Sequence, residues 1–191
     1  MLLTEFPELE IENILIRIPR FADASKILDF YVQNEEFLAP FDPPKPENFH
    51  TLEFSKEMVQ NYQNNWVART QLRFILICKS SLKMAGMISF TGMERGPFQS
   101  CRLGYKLGER FTGKGIMTNS LKNSIEYLFN ELNFHRIEAS YLRENAPSRK
   151  VLERSGFVTE GIAKDYLFIN GKWRDHTLTS LINKNWKDFS S

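Results

Sequence analysis

Between two strand-like stretches, Cys101 to Leu107 and Arg136 to Tyr141, the chain carries one long apolar stripe: Leu121, Ile125, Leu128 and Leu132. These residues fall at i, i+4, i+7 and i+11, which lays a single face along about four turns of helix. A helix with one apolar face must bury it, and the flanking strands supply a sheet to bury it against. Strand, helix and strand in one sheet make a right-handed crossover, so the two strands run parallel. This unit alone sets an α/β (α+β) architecture.

The remaining elements extend that sheet. Asn13 to Ile18 alternates as a strand, Asp23 caps a helix with the apolar face Ile27, Leu28, Tyr31 and Val32, and Leu52 to Ala68 reads as a second helix. Leu72 to Lys79 and Met84 to Met93 read as strands that pair antiparallel with Cys101 to Leu107. After the crossover come a short helix, Pro147 to Arg154, closed by Gly156, and a strand from Phe157 to Gly161. Tyr166 to Ile169 and Thr177 to Ile182 form a hairpin about Asn170-Gly171. The expected fold is a mixed, mostly antiparallel sheet of about seven strands with helices on both faces. At 191 residues one domain is expected, spanning 13–186, with 1–12 as an N-terminal extension and 187–191 as a C-terminal tail.

Composition narrows the partners. Lys and Arg number 25 against 23 Asp and Glu, a formal charge of +2, so the surplus of cations that drives non-specific nucleic-acid binding is missing. The longest apolar run, Phe74 to Cys78, is far short of the roughly 20 residues of a membrane span. Glu5, Glu8, Glu10 and Glu12 precede the first base, Arg17, the reverse of a signal peptide. A cytoplasmic protein, monomer or weak dimer, is expected. Cys78 and Cys101 read as buried free thiols, and with only His50, His135 and His176 beside them no metal site is expected. Pro40, Pro43, Pro44 and Pro46 impose an irregular loop of about ten residues, a length often tied to function.

The segment Arg110-Phe111-Thr112-Gly113-Lys114-Gly115-Ile116 sits between a strand and the long helix. Small residues let backbone approach a ligand, and the unpaired N–H groups of a helix's first turn make an anion site suited to phosphate. Gly108 to Lys114 even spells G-x-x-x-x-G-K, the phosphate loop of nucleotide hydrolases. That loop needs a Ser or Thr hydroxyl next for magnesium, and Gly115 stands there, with Thr118 three positions late. The dinucleotide pattern fails as well, since position 118 is not glycine. A pyrophosphate held as a handle, rather than cleaved, fits better; an ordinary tight turn is the alternative.

Arg110-x-x-Gly113-x-Gly115 after a strand and before a helix resembles the acetyl-CoA signature of the GNAT N-acetyltransferases. The likeness covers residues of about 10 to 186 in element order. Gly104-Tyr105, Gly113-Lys114-Gly115-Ile116-Met117, His135-Arg136, Asn145 with Ser148, Gly156-Phe157 and Gly171-Lys172-Trp173-Arg174-Asp175-His176 together resemble the ribosomal-protein alanine N-acetyltransferases of the RimJ/RimL type. Arg95-Gly96-Pro97-Phe98 and Lys164-Asp165-Tyr166 resemble the RimJ branch.

The resemblance implies a GNAT fold whose two parallel strands splay into a V that takes the pantetheine of acetyl-CoA. It implies that the backbone of Lys106 and Leu107 pairs with the pantetheine and polarises the thioester carbonyl, an oxyanion-type contribution of roughly 3 kcal/mol. The N–H groups of Phe111, Thr112, Gly113, Lys114, Gly115 and Ile116, with Arg110, hold the pyrophosphate, and Asn145 contacts the cofactor arm, a role that can coexist with helix capping. Ser148 matches the position of a general acid for the departing thiolate. Phe41, Tyr166 and Trp173 wall the acceptor slot. The implied reaction moves the acetyl group from acetyl-CoA, as co-substrate without metal, to the N-terminal α-amine, alanine, of a small-subunit ribosomal protein or ribosome. A small-molecule amine acceptor, and a ribosome-assembly factor that only binds CoA, are the alternatives.

Direct attack needs a neutral amine. With a pKa of about 7.7 an α-amine is roughly a third neutral at pH 7.4, whereas a lysine at about 10.4 is roughly 0.1% neutral, a further cost of about 3 to 4 kcal/mol. The resemblance implies, from some relatives, a carboxylate base at a position where this chain has Leu167, leaving Glu94, Glu160 and Asp165 as weaker carboxylates and His176 as a structural residue.

Overall fold

The computed structural model describes residues 6–188. Its sheet has eight strands: β1 (Glu8–Ile11), β2 (Ile14–Arg17), β3 (Leu72–Cys78), β4 (Met84–Glu94), β5 (Ser100–Leu107), β6 (Arg136–Leu142), β7 (Val158–Ile169) and β8 (Lys172–Ile182). They lie in the order β1-β2-β3-β4-β5-β6-β8-β7. All neighbours are antiparallel except β5 and β6, which run parallel on either side of the crossover helix α4 (Ile116–Asn130). The crossover read from the apolar stripe is therefore present, and its helix begins two residues earlier than Thr118.

The sheet is the mixed, mostly antiparallel one expected, at eight strands against about seven. The eighth strand, β1, comes from the stretch expected as an extension, of which residues 1–5 lie outside the described part, as do residues 189–191 of the tail. Leu9 and Ile11 pack against the core while Glu8 and Glu10 face water, and Glu12 turns the chain at φ 47° into β2. Phe157 to Gly161 and Tyr166 to Ile169 fuse into the one long strand β7, whose register against β8 slips at Thr159/Gly161 and Ala163/Leu167. Those bulges interrupt the alternation that marks a continuous strand.

Helices α1 (Ala24–Gln33), α2 (Glu35–Leu38) and α3 (Leu52–Val67) lie on one side, with Ile27, Phe30, Val59 and Tyr62 packed on Ile75, Ile77 and Met87. On the other side α4 and α5 (Ala146–Arg154) seal Phe74, Leu76, Ile88, Phe90 and Ile137 beneath Leu121, Ile125, Leu128 and Leu152. Covered on both faces, β3 is apolar almost throughout. Cys78 and Cys101 are both free and buried. Burial pushes the Cys101 thiol up to about 12, while hydrogen bonds from Ser80 and Ser81 bring Cys78 down to about 7.

Asp23 stands at the N-cap of α1, as expected, but its carboxylate turns away from the helix. Arg17 Nη1 and Nη2 donate to it at 2.6 and 3.0 Å, and the Arg20 N–H donates at 2.8 Å. Both side chains are buried. The pair stitches the end of β2 to the start of α1.

Candidate active site

The parallel pairing of β5 with β6 is short. It runs from Ser100 opposite Arg136 to Leu103 opposite Ala139 and stops. Beyond that point β5 stays bonded to β4 through Leu107, and β6 stays bonded to β8 through Leu142. The edge of β5 from Gly104 to Leu107 that faces β6 thus has no strand partner, and the two strands open into the expected V. Lys106 and Leu107 lie on this open edge. Unpaired backbone N–H and C=O groups there can take an extended ligand as an added strand.

The Gly-rich turn follows directly. Gly108 donates to Ala85 O at 2.8 Å, and one turn of 3₁₀ helix, Glu109 to Phe111, leads to Thr112, Gly113, Lys114 and Gly115. Gly113 and Gly115 have φ of 73° and 74°, left-handed values that L side chains avoid, and Gly115 is the N-cap of α4. A Cβ at either would meet nothing within 4 Å, so the space in front of the helix N-terminus is open. Arg110 and Lys114 are exposed beside it, and Lys114 Nζ folds onto Arg110 O at 2.8 Å. A residue that the sequence did not signal braces the turn: Asn34 accepts from the Glu109 N–H at 2.9 Å and donates to Phe30 O.

On the α4 side of the V, Asn145 caps α5, its Oδ1 accepting from the Ser148 N–H at 3.0 Å. Ser148 Oγ lies 2.8 Å from the hydroxyl of Tyr105, which also donates to the Ser148 carbonyl at 3.0 Å. Burial raises Tyr105 above the ordinary phenol value. Tyr105 entered the sequence reading only as part of a motif, since nothing in the sequence pairs a strand aromatic with a helix serine 43 positions on.

On the opposite side, a pocket of about 100 Å³ opens where β5 and β6 part, lined by Arg102 and Leu103 of β5, Glu138, Ala139 and Ser140 of β6, Glu160 and Tyr166 of β7, and Leu178 and Thr179 of β8. Of the three aromatics expected to wall the acceptor slot, Tyr166 does line this pocket. Phe41, in a 3₁₀ turn of the Pro-rich loop, and Trp173, stacked edge-on against Phe168, are exposed and outside its walls. Glu160 bonds to Arg136 and accepts from Ser180 Oγ at 2.7 Å. The Arg136 bond, then that of Ser180, holds its carboxyl below the usual range. Glu94 is exposed at the far end of β4, Leu167 is half-exposed, and Asp165 is an exposed bulge residue at φ 46° whose N–H donates to Asp175. His176 is buried with Nδ1 2.9 Å from Arg174 O.

A second cluster that the sequence did not signal lies near Lys106. Its Nζ is 2.6 Å from Oδ1 of Asp42, a buried residue of the Pro-rich loop, with Lys45 Nζ 3.3 Å from Oδ2. Both ammonium groups lie over the Tyr31 ring. The pair ties the loop to the open strand.

Residues 13–158 match the family described as acetyltransferase (GNAT) domain. The [ribosomal protein uS5]-alanine N-acetyltransferase of Escherichia coli (strain K12) is 33% identical over 186 residues, covering 92% of this chain and 90% of that protein. The crystal structure of the ribosomal-protein-S5-alanine acetyltransferase from Vibrio fischeri superposes with a TM-score of 0.92 at 36% identity, over 95% of this chain and all of that one. The RimJ protein of Mycobacterium smegmatis, solved in complex with CoA-disulfide, superposes with a TM-score of 0.86 at 26% identity, over 96% and 89%. With the splayed strands, the open glycine turn and these matches in one chain, it belongs to the GNAT acetyltransferases and is an acetyl-CoA-dependent N-acetyltransferase.

Proposed function

We propose that this chain transfers the acetyl group of acetyl-CoA to the N-terminal α-amine of a small-subunit ribosomal protein whose first residue is alanine. The observation that carries the acceptor reading is the apex pocket. The pocket, about 100 Å³ and open to solvent on one side, has room for a small first residue such as alanine or serine. Its charged lining is balanced, with Arg102 beside Glu138 and Arg136 paired with both Glu138 and Glu160. Held ionised by Arg136 and Ser180, Glu160 is not fitted to take a proton from the amine near pH 7. The names of the E. coli and V. fischeri relatives support the same acceptor. A ribosomal acceptor puts the reaction in the cytoplasm.

Acetyl-CoA supplies an activated acetyl group and a thiolate leaving group; the chain's residues hold it and order the attack. The N–H groups of Phe111 to Ile116 and the start of α4 hold the pyrophosphate, with Arg110 and Lys114 adding charge. From there the pantetheine lies along the free edge of β5, paired with the backbone of Lys106 and Leu107, which carries the thioester toward the apex of the V. An amine in the apex pocket meets it from the opposite side. Asn145 holds the first turn of α5, and Ser148 gives a proton to the departing sulphur. Deprotonation of the amine is left to water, because an α-amine is already about a third neutral at pH 7.4.

Purified protein incubated with acetyl-CoA and peptides that differ in their first residue tests this, with N-blocked lysine peptides and free polyamines alongside and thiol release and product mass as readouts. Peptides starting in Ala or Ser should be acetylated at least tenfold faster than those starting in Leu or Phe. Equal rates across first residues, or transfer to lysine or polyamine in preference, would overturn the acceptor assignment. The turn is tested separately: Gly115→Val should raise the KM for acetyl-CoA about tenfold. A β-branched residue pays roughly 1–2 kcal/mol or more for left-handed φ and fills the open space before α4. An unchanged KM would remove the turn from cofactor binding.

A further inference from the structure

Tyr105 reaches across the V from β5 to the first turn of α5, and its hydroxyl has two acceptors within range: Ser148 O at 3.0 Å and Ser148 Oγ at 2.8 Å. A phenol has one proton, so two arrangements share the same oxygen positions. In the first, Tyr105 donates to the carbonyl and Ser148 donates to the phenol oxygen, which turns the serine proton away from the V. In the second, Tyr105 donates to Oγ, and the serine proton is free to point into the V. Negative charge in the V favours the second, because hydrogen bonds to a charged acceptor are roughly twice as strong as neutral ones.

We propose that Tyr105 is a positioning residue for Ser148: its hydroxyl fixes the serine rotamer and, by turning its own proton from the carbonyl to Oγ, directs the serine proton at the departing sulphur. This rests on Ser148 acting as the acid, as read above. Tyr105 keeps its proton throughout, because burial disfavours the phenolate. The balance closes without it. Sulphur gains a proton from Ser148 Oγ, Ser148 recovers one from water, and the acceptor nitrogen releases one to water. The phenol ring packs on the core beneath α4 and stays in place when the hydroxyl is removed, so Tyr105→Phe deletes the two hydrogen bonds and little else.

The test is a double-mutant cycle on kcat with Tyr105→Phe, Ser148→Ala and the pair, with thermal unfolding of each. Sulphur leaves in the same way whatever the amine, so the cycle is run on any amine the protein acetylates; a mistaken acceptor and a mistaken role for Tyr105 are thereby told apart. Tyr105→Phe should lower kcat about tenfold, leave the KM for acetyl-CoA within about twofold, and have no further effect once Ser148 is alanine. Wild-type kcat in Tyr105→Phe alongside a slow Ser148→Ala would overturn the positioning role and leave the acid in place. Multiplicative losses in the pair would show that Tyr105 acts apart from Ser148, which also overturns it. A loss confined to KM and unfolding temperature would make Tyr105 a tie between α5 and the sheet and nothing more.

Discussion

Ser148→Ala should lower kcat for acetyl transfer about a hundredfold and leave the KM for acetyl-CoA nearly unchanged. General acids contribute about 10²- to 10⁴-fold. The low end applies because a thiol of pKa about 8.5 leaves with little help, so the group supplies only the last part of the barrier, about 2.7 kcal/mol for a hundredfold. KM should hold because the elements proposed to grip the cofactor lie elsewhere: the glycine turn, α4 and the open edge of β5 are untouched. Helix α5 also survives, since its cap is Asn145 Oδ1 bonded to the backbone N–H of residue 148, which alanine retains. Ser148→Thr keeps a hydroxyl and should recover most of the rate. Steady-state thiol release over a range of acetyl-CoA concentrations reads both constants; a kcat within threefold of wild type would remove Ser148 from the chemistry.

What the sequence made legible, and what it did not, follows from the range of the interactions involved. The crossover was readable because an apolar stripe and two strand periods are local patterns, and the glycine turn because left-handed backbone at Gly113 and Gly115 leaves a local mark. Strand β1 went unread: Glu8-Leu9-Glu10-Ile11 alternates as a strand does, but over only four residues, inside a stretch taken as an N-terminal extension. The site itself is assembled at long range. The apex pocket exists because β5 leaves β6 after Leu103 while each keeps its other neighbour, and no residue type announces where two strands part. Of the aromatics expected around the acceptor, Tyr166 lines this pocket, while Phe41 and Trp173 stand outside it. Nothing in the sequence singles out Asp42 among its prolines, because its partner Lys106 lies 64 positions away.

A local contact, the buried Arg17–Asp23 pair, is a costly point to break. Asp23→Ala should lower the unfolding free energy by about 3–5 kcal/mol at pH 7, the usual penalty for removing one partner of a buried ion pair. Alanine would strand the Arg17 guanidinium, whose Nε already lacks a hydrogen-bond partner, and would also release the Arg20 N–H. Replacing both residues by apolar ones, Arg17→Met with Asp23→Leu, should recover most of the loss, because no uncompensated charge then remains. Chemical denaturation of the three proteins checks this, and near-additive losses in the double variant would show that the cost lies in packing rather than in the stranded charge. The pair also sets an acid limit. Burial pushes the Asp23 carboxyl up, but the hydrogen bond from Arg17, then that from Arg20 N–H and the charges of Arg17 and Lys26, outweigh it and leave the carboxyl below its ordinary value. A depressed folded pKa means that Asp23 contributes its full stability above the unfolded value of about 3.9 and loses it as pH falls through the lower, folded value. The gap in stability between wild type and Asp23→Ala should therefore stay constant from pH 7 to about pH 5 and narrow below about pH 4, as the wild type alone surrenders the carboxylate.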